Sequence, residues 1–446
     1  MEIDSNYLKD VRLQYEEYPY PERDPNNEKN YLISYENQTP ELINHFCFNG
    51  LMPLSLKGQG DIFRILIAGG GTGDAAIYYA EILSNMNVEV TYLDMSKSST
   101  KIAKQRAKIR QLKNLKWIHD SILELPTMNL EKFNYIDCSG VLHHLVSPKD
   151  GLNALKSVLH DDGALNIMVY AQYGRTSIYQ MQNLMRMINS TENNLQIEVD
   201  NTKSIISSLP NTNLFYKDKE LFTNDINNDI GIYDLLLHTQ DRAYTIPQLY
   251  NWVEEECNLN IIEFGGTGIE SKMGYNPKIY IKDTNLLEKI MQKPLIEQKA
   301  IAELLSSTIK KHTFFVTKHK EDTIASYKNE DLVPYLHGIN TTGKEVADVI
   351  KSQPGMTITF TIDIQGSVGF IPMKSTENIF RLMDGKRSIK EIFEKIDIPN
   401  EELSLEFESL YLTLFDLNII LLKSKKFPII KTVKDAQERI NKIYNQ

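Results

Sequence analysis

A chain of 446 residues, 41% hydrophobic and 24% charged, has the make-up of a soluble globular protein and the length of two or three domains. Its net charge of −10 excludes nucleic acid as the main partner, because a phosphate-binding face needs a basic excess. Three widely spaced cysteines, Cys47, Cys138 and Cys257, define neither a disulfide framework nor a zinc site. No basic region followed by an apolar stretch opens the chain, and no apolar run approaches the roughly 20 residues that span a bilayer. A cytoplasmic protein without membrane insertion is expected.

Within residues 1–60, Tyr15-Glu16-Glu17-Tyr18-Pro19-Tyr20-Pro21-Glu22-Arg23 is a tyrosine-proline segment, and its prolines disfavour helix at Tyr18 and Tyr20. It reads either as an arm covering a sheet edge or as a lid over a binding site. Next, Ile65-Leu66-Ile67-Ala68 is a strand-forming run that breaks into Gly69-Gly70-Gly71-Thr72-Gly73-Asp74 and restarts as a helix from Ala75 to Leu83. Such a turn lets a ligand press against bare backbone at a helix N-terminus. A phosphate-cradling loop needs Lys-Ser or Lys-Thr after the last glycine, where this chain has Asp74-Ala75. A dinucleotide fingerprint is spaced G-x-G-x-x-G, but Gly69, Gly71 and Gly73 follow G-x-G-x-G, and Asp74 would repel a pyrophosphate. S-adenosylmethionine carries no phosphate and bears a sulfonium cation, so acidic surroundings suit it.

The following elements continue that pattern. Val88 to Asp94 is a second strand ending in an acid placed for ribose hydroxyls. The run Lys97, Lys101, Lys104, Arg106, Lys108, Arg110, Lys113, Lys116 alternates with Ile102, Ile109 and Leu112, which predicts the solvated outer face of a crossover helix. Leu115 to Ser121 is a third strand, with Asp120 placed to accept from an adenine amino group. Phe133 to Ser139 is a fourth, leaving through Gly140-Val141-Leu142-His143-His144-Leu145; a turn at Leu159 to Gly163 leads into a fifth.

The block from about 62 to 170 resembles a class I S-adenosylmethionine-dependent methyltransferase, with these five features in the family's order. It departs at Ile67, where such proteins usually have an acid that helps hold the cofactor's amino group; either Asp74 or backbone carbonyls are expected to replace it. Together with the Tyr-Pro-Tyr-Pro arm and Leu236-Leu237-His238-Thr239-Gln240-Asp241-Arg242-Ala243-Tyr244, the motifs look like a bacterial group that includes the rickettsial-type protein-lysine methyltransferases, which modify outer-membrane proteins.

Beyond the fifth strand, Ile178 to Ile188 predicts a helix at the ligand edge, opening a long insertion whose end carries the polar cluster His238, Asp241, Arg242, Tyr244. That cluster reads either as functional or as a helix cap with salt bridges. A helix from Ile246 to Glu256 and strands at Leu259 to Phe264 and His312 to Lys318 resume the sheet, with a helical stretch from Leu286 to Ile309 as a second insertion and candidate subunit contact. Further on, a strand at Ser367 to Ile371, helices ending near Lys386, Ile396 and Leu417, and a strand at Ile419 to Leu422 resemble a winged-helix module. Glu401, Glu402, Glu406 and Glu408 make its third helix acidic, so peptide binding or dimerisation is expected there rather than nucleic-acid binding.

The expected fold is α/β, a Rossmann-like class I methyltransferase sheet with helical insertions and a C-terminal α+β winged-helix-like module. The expected division is an arm or lid over 1–60, an S-adenosylmethionine-binding methyltransferase domain over 61–320 with insertions at about 174–240 and 283–311, and a C-terminal interaction domain over 321–446. Cofactor contacts are expected from Gly69, Gly70, Gly71, Gly73, Asp74, Asp94, Met95, Asp120, Ser121, Ser139 and Gly140. Tyr18, Tyr20, His143 and Tyr173 are the expected catalytic residues; His143 reads alternatively as loop packing, and a His143-His144 metal site lacks a third ligand nearby in sequence. The favoured acceptor is a protein lysine, with a quinone-like or other small molecule as the alternative and a non-catalytic binding module as a third reading. The insertions and terminal module leave surface for a homodimer.

Overall fold

The computed structural model describes residues 15–34, 38–192, 194–238, 240–266, 270–321, 323–363 and 366–444. Residues 1–14 of the N-terminal arm and Thr239 of the polar cluster therefore lie outside the described residues. Strands β1 (Phe63–Ala68), β2 (Val88–Asp94), β4 (Phe133–Ser139) and β5 (Leu159–Ala171) are apolar on both faces because helices cover both sides. With β3 (Leu115–His119), β6 (Ala243–Tyr244), β7 (Asn260–Phe264) and β8 (Lys311–Thr317) they build one sheet, ordered β3-β2-β1-β4-β5-β8-β7, with β6 beside β5. Strands β1 to β5 run parallel, while β8 is antiparallel to both β5 and β7. The chain turns one way from β1 into β2 and the other way into β4, so the crevice at the C-terminal ends of β1 and β4 is the place where such sheets bind ligands.

Across that crevice, Ile67 on β1 lies opposite Tyr92 on β2 and Asp137 on β4, and Asp137 lies opposite Asn166 on β5. On one sheet face the core gathers Leu42, Phe46, Ala76, Tyr79, Ala103 and Ala436. The opposite face gathers Leu152, Leu155, Ile246, Leu249 and Trp252. The first insertion holds helices Thr176–Ile188 and Leu195–Ser208. The second is split into Thr284–Met291 and Leu295–Ser306 rather than being one helix, since Pro294 interrupts it.

The C-terminal part pairs β9 (Val333–Leu336) with β12 (Ile420–Lys423) and adds the hairpin β10 (Ile358–Asp363) with β11 (Gly366–Phe370). Phe380, Ile392, Phe407 and Leu410 pack in its core. Glu406, expected on an acidic outer face, is buried and accepts a hydrogen bond from the Ser375 backbone N–H at 2.7 Å. His45 joins this part to the sheet: its Nδ1 accepts from the Leu422 N–H at 3.0 Å, and Nε2 lies 3.2 Å from the Tyr411 hydroxyl. The last helix, Val433–Tyr444, returns to the sheet, where Arg439 pairs with Glu81 at 2.5 Å.

Two residues of the basic run correct the reading of the second crossover helix, Lys97–Ile109, as a wholly solvated face. Arg106 is 1% exposed and Arg110 is fully buried. Arg106 pairs with Glu28 at 2.6 Å and Asp74 at 2.5 Å and donates to the Thr72 carbonyl at 2.9 Å, while Arg110 pairs with Glu28 and Glu81. Buried guanidinium groups keep their charge, so each needs carboxylates and carbonyls to replace lost water. We expect Glu28→Ala to leave two guanidiniums short of partners and to cost about 3–5 kcal/mol in denaturant unfolding, with a surface change such as Lys101→Ala near zero as the control.

Candidate active site

The glycine turn after β1 brings backbone where side chains would obstruct. Gly71 has φ of +50°, and a Cβ there would stand 2.7 Å from the Tyr20 carbonyl oxygen. Gly73 has φ of +103°, and its missing Cβ lets Ala103 close to 2.7 Å of that position, packing the helix Asp74–Ile82 against its neighbour. Asp94 at the end of β2 holds the turn: one carboxylate oxygen accepts from the Gly71 N–H and the other from the Ser96 N–H, both at 2.8 Å. Desolvation raises the Asp94 pKa, and the two backbone donors oppose that shift.

The N-terminal arm clamps onto this turn. The Tyr20 carbonyl accepts from the Thr72 N–H at 3.3 Å, and the Thr72 hydroxyl donates to the Pro21 carbonyl at 2.7 Å. The Glu16 carboxylate accepts from the N–H groups of Lys97 and Ser98, at a helix N-terminus where a negative charge is favoured. Arg23 grips Asp74 at 2.7 Å.

The space between arm, glycine turn and first insertion is a cavity of about 950 Å³. Its walls include Gly69, Gly70, Gly71, Asp74, Asp94, Met95, Asp120, Ser121, Ser139, Gly140 and Tyr20. Gly73 lies outside the lining, its role being helix packing. Three expected catalytic residues are also outside. The Tyr18 ring stacks on Tyr233 at 5.2 Å and its hydroxyl reaches Gln196 at 3.4 Å, away from the cavity. Tyr173 lies in the turn after β5. His143 is fully buried, 4.0 Å from the Tyr170 ring and 4.1 Å from that of His144, and burial lowers its pKa so that the ring is neutral. Its neighbour His144 lines the cavity instead.

Asp74 also departs from expectation. Its carboxylate is committed to Arg23 and Arg106, so it offers no free charge for the cofactor's amino group. Asp241, far along the chain, comes within ligand-sharing reach of His143 and His144, all three donor atoms lying within 4.8 Å. A third ligand thus exists in space, although Arg175 at 3.3 Å and the Gln182 amide at 3.0 Å already occupy that carboxylate.

Sequence reasoning passed over Asp137, Asp225, Asp234 and Tyr170, which all line the cavity. Burial raises Asp137 to about 6 and Asp234 to about 7. Tyr15 offers its hydroxyl to Asp234 at 3.4 Å, and Asp225 accepts from Tyr20. The Arg175 guanidinium carbon sits over the Tyr170 ring, 3.5 Å from its centre. A carboxylate inside an otherwise apolar strand is a visible signal, and Asp137 has it; Asp225 and Asp234 sit in the insertion, where no pattern marks them.

Parallel strands reversing direction of travel at a glycine turn, with carboxylates at successive strand ends, form the sheet of the class I methyltransferase fold. Residues 62–246 match the family model described as a methyltransferase domain. An uncharacterized protein from Synechococcus sp. is 33% identical over 195 residues, 43% of this chain and 46% of that protein, so the chain spans under half the length of this curated relative. PKMT2 from Rickettsia typhi shares the fold at 16% identity and a TM-score of 0.55 over 88% of this chain and 76% of its own. Its complex with AdoHcy gives a TM-score of 0.59 over 87% and 76%. S-adenosylmethionine is the cofactor of such a domain, and the bare turn, Asp74-Ala75 in place of Lys-Ser or Lys-Thr after Gly73, and the carboxylates in the walls fit it.

A side chain at position 71 must both adopt a left-handed backbone and displace the Tyr20 carbonyl. We expect Gly71→Ala to weaken S-adenosylhomocysteine binding by roughly tenfold or more in titration calorimetry.

Proposed function

We propose that the chain methylates an amine, with a protein lysine side chain as acceptor. The observation carrying this reading is the part of the cavity wall where Asp225 and Asp234, two carboxylates to the one cation Arg175, stand among Tyr15, Tyr20 and Tyr170. Carboxylates within aromatic walls favour a cationic or amine-bearing guest. The fold shared with Rickettsia typhi PKMT2 supports a protein acceptor.

A lysine must lose its proton before it can attack. At pH 7 that costs about 4.6 kcal/mol, from a reference pKa near 10.4 and roughly 1.36 kcal/mol per unit. Asp234, held at about 7 by burial, takes the proton onto its carboxylate: an ammonium and a carboxylate become a neutral amine and a carboxylic acid. Burial raises the pKa of Tyr15, Tyr20 and Tyr170, so their hydroxyls stay protonated. Their oxygens accept N–H bonds from the amine and leave its lone pair free. When bound, S-adenosylmethionine supplies the electrophilic methyl group on a sulfonium, and alignment within the cavity does most of the catalytic work.

Leu221, Phe222 and Leu235 also line the cavity, which favours a small aromatic acceptor as the second reading. Among the described residues, no helix is long and apolar enough to cross a membrane. We assign residues 321–446 the role of contacting the protein substrate. Labelled cofactor incubated with fractionated cell extract distinguishes the two acceptors. Label recovered as N-methyl-lysine after protein hydrolysis supports the proposal; label confined to the organic extract overturns it.

The proton acceptor sets the pH profile. Asp234 works as a carboxylate, so kcat/KM should fall about tenfold per pH unit below roughly 7 and level off above it. Asp234→Asn should lower the plateau by about 10²–10⁴-fold and remove that acid limb.

A further inference from the structure

The residue absent from β1 has a counterpart on the next strand. Ile67 occupies the place where an acid would reach the cofactor's amino group, and its cross-strand partner is Asp137 on β4. Partners in a parallel ladder send side chains to the same face at the same height. Asp137 is 1% exposed, lines the cavity, and one of its carboxylate oxygens, Oδ2, has no hydrogen-bond partner among the described residues. Two further acceptors nearby share that condition, the side-chain carbonyl oxygens of Gln38 and Asn166, and both residues are buried.

Hydrogen bonding fixes the orientation of this group. The Ser139 hydroxyl donates its single proton to Asp137 Oδ1 at 2.7 Å. Its oxygen therefore accepts from Asn166 Nδ2 at 3.2 Å and from Gln38 Nε2 at 3.5 Å, which turns both amide oxygens away from it. Two of these acceptors, Asp137 Oδ2 and Gln38 Oε1, belong to residues that line the cavity, which leaves that wall short of a donating cation, while Asn166 lies behind it and holds Ser139 in place. Among cations at this end of the cavity, a primary ammonium supplies three N–H donors. Asp74, the other acid at the turn, is neutralised by Arg23 and Arg106.

We infer that Asp137, with Gln38, forms the binding site for the α-ammonium group of the cofactor's amino-acid tail, in place of the acid missing at Ile67. This rests on the cofactor reading above, and the test separates the two. Full-length protein is titrated calorimetrically with S-adenosylhomocysteine and with 5′-methylthioadenosine, which keeps the adenosine and sulfur but lacks the amino-acid tail. Asp137→Asn should weaken S-adenosylhomocysteine by roughly ten- to a hundredfold, the worth of a charged hydrogen bond, and leave methylthioadenosine within about twofold. Gln38→Leu should show the same selectivity with a smaller loss. Equal losses for both ligands, or none for S-adenosylhomocysteine, would overturn the assignment. Should the unaltered chain bind neither ligand, the cofactor reading itself fails.

Discussion

Arg106 is the residue on which the arrangement depends. Its guanidinium is buried between Glu28 of the N-terminal segment, Asp74 at the start of the glycine-turn helix, and the Thr72 carbonyl within that turn. Glu28 also holds Arg110, Arg110 reaches Glu81, and Glu81 holds Arg439 of the last helix. One chain of alternating charges thus ties the two ends of the described chain to the cofactor turn. Replacing such a network by apolar side chains need not reduce stability, but it would release the register between arm and turn. That register is what puts the Tyr20 carbonyl against Gly71 and Thr72.

Committing Asp74 to cations has consequences inside the cleft. The acid nearest the helix N-terminus is neutralised; Arg175, Lys310 and Lys311 also line the cavity, and four of its remaining carboxylates are Asp94 and Asp137 on the sheet with Asp225 and Asp234 on the insertion. These four are desolvated, and desolvation moves each carboxylate upward. The sheet-side pair favours a cationic donor, and the proton transfer proposed above uses the insertion-side pair. The insertion-side pair stands among tyrosine hydroxyls, with Tyr15 on Asp234 and Tyr20 on Asp225.

The sheet and its cofactor edge were legible because local signals agreed with the tertiary outcome. Short apolar runs, a glycine turn and terminal acids each have a backbone reason to exist; Asp94, expected to meet ribose hydroxyls, accepts from the Gly71 N–H of the turn. Arg106 and Arg110 were not legible: in sequence they belong to an evenly basic helix, and only Glu28, far upstream, draws them inward. Tyr18 shared its prolines and ring with Tyr20, yet the two side chains diverge, one onto Tyr233 and the other into the cavity. Asp234 stands in the apolar run Ile232 to Leu237, where nothing local marks it; Tyr15 and Tyr20 reach it from the arm, and that approach is tertiary. Long-range charge pairing and arm placement are tertiary properties, and no local periodicity encodes them.

Amide hydrogen exchange of the full-length chain, with and without saturating S-adenosylhomocysteine, tests most directly that arm and turn form one ligand-bound unit. Protection should rise together in 69–74, 94–96, 137–140 and the arm segment 15–23. Protection of the turn with an unchanged arm, or no change in either, would contradict it.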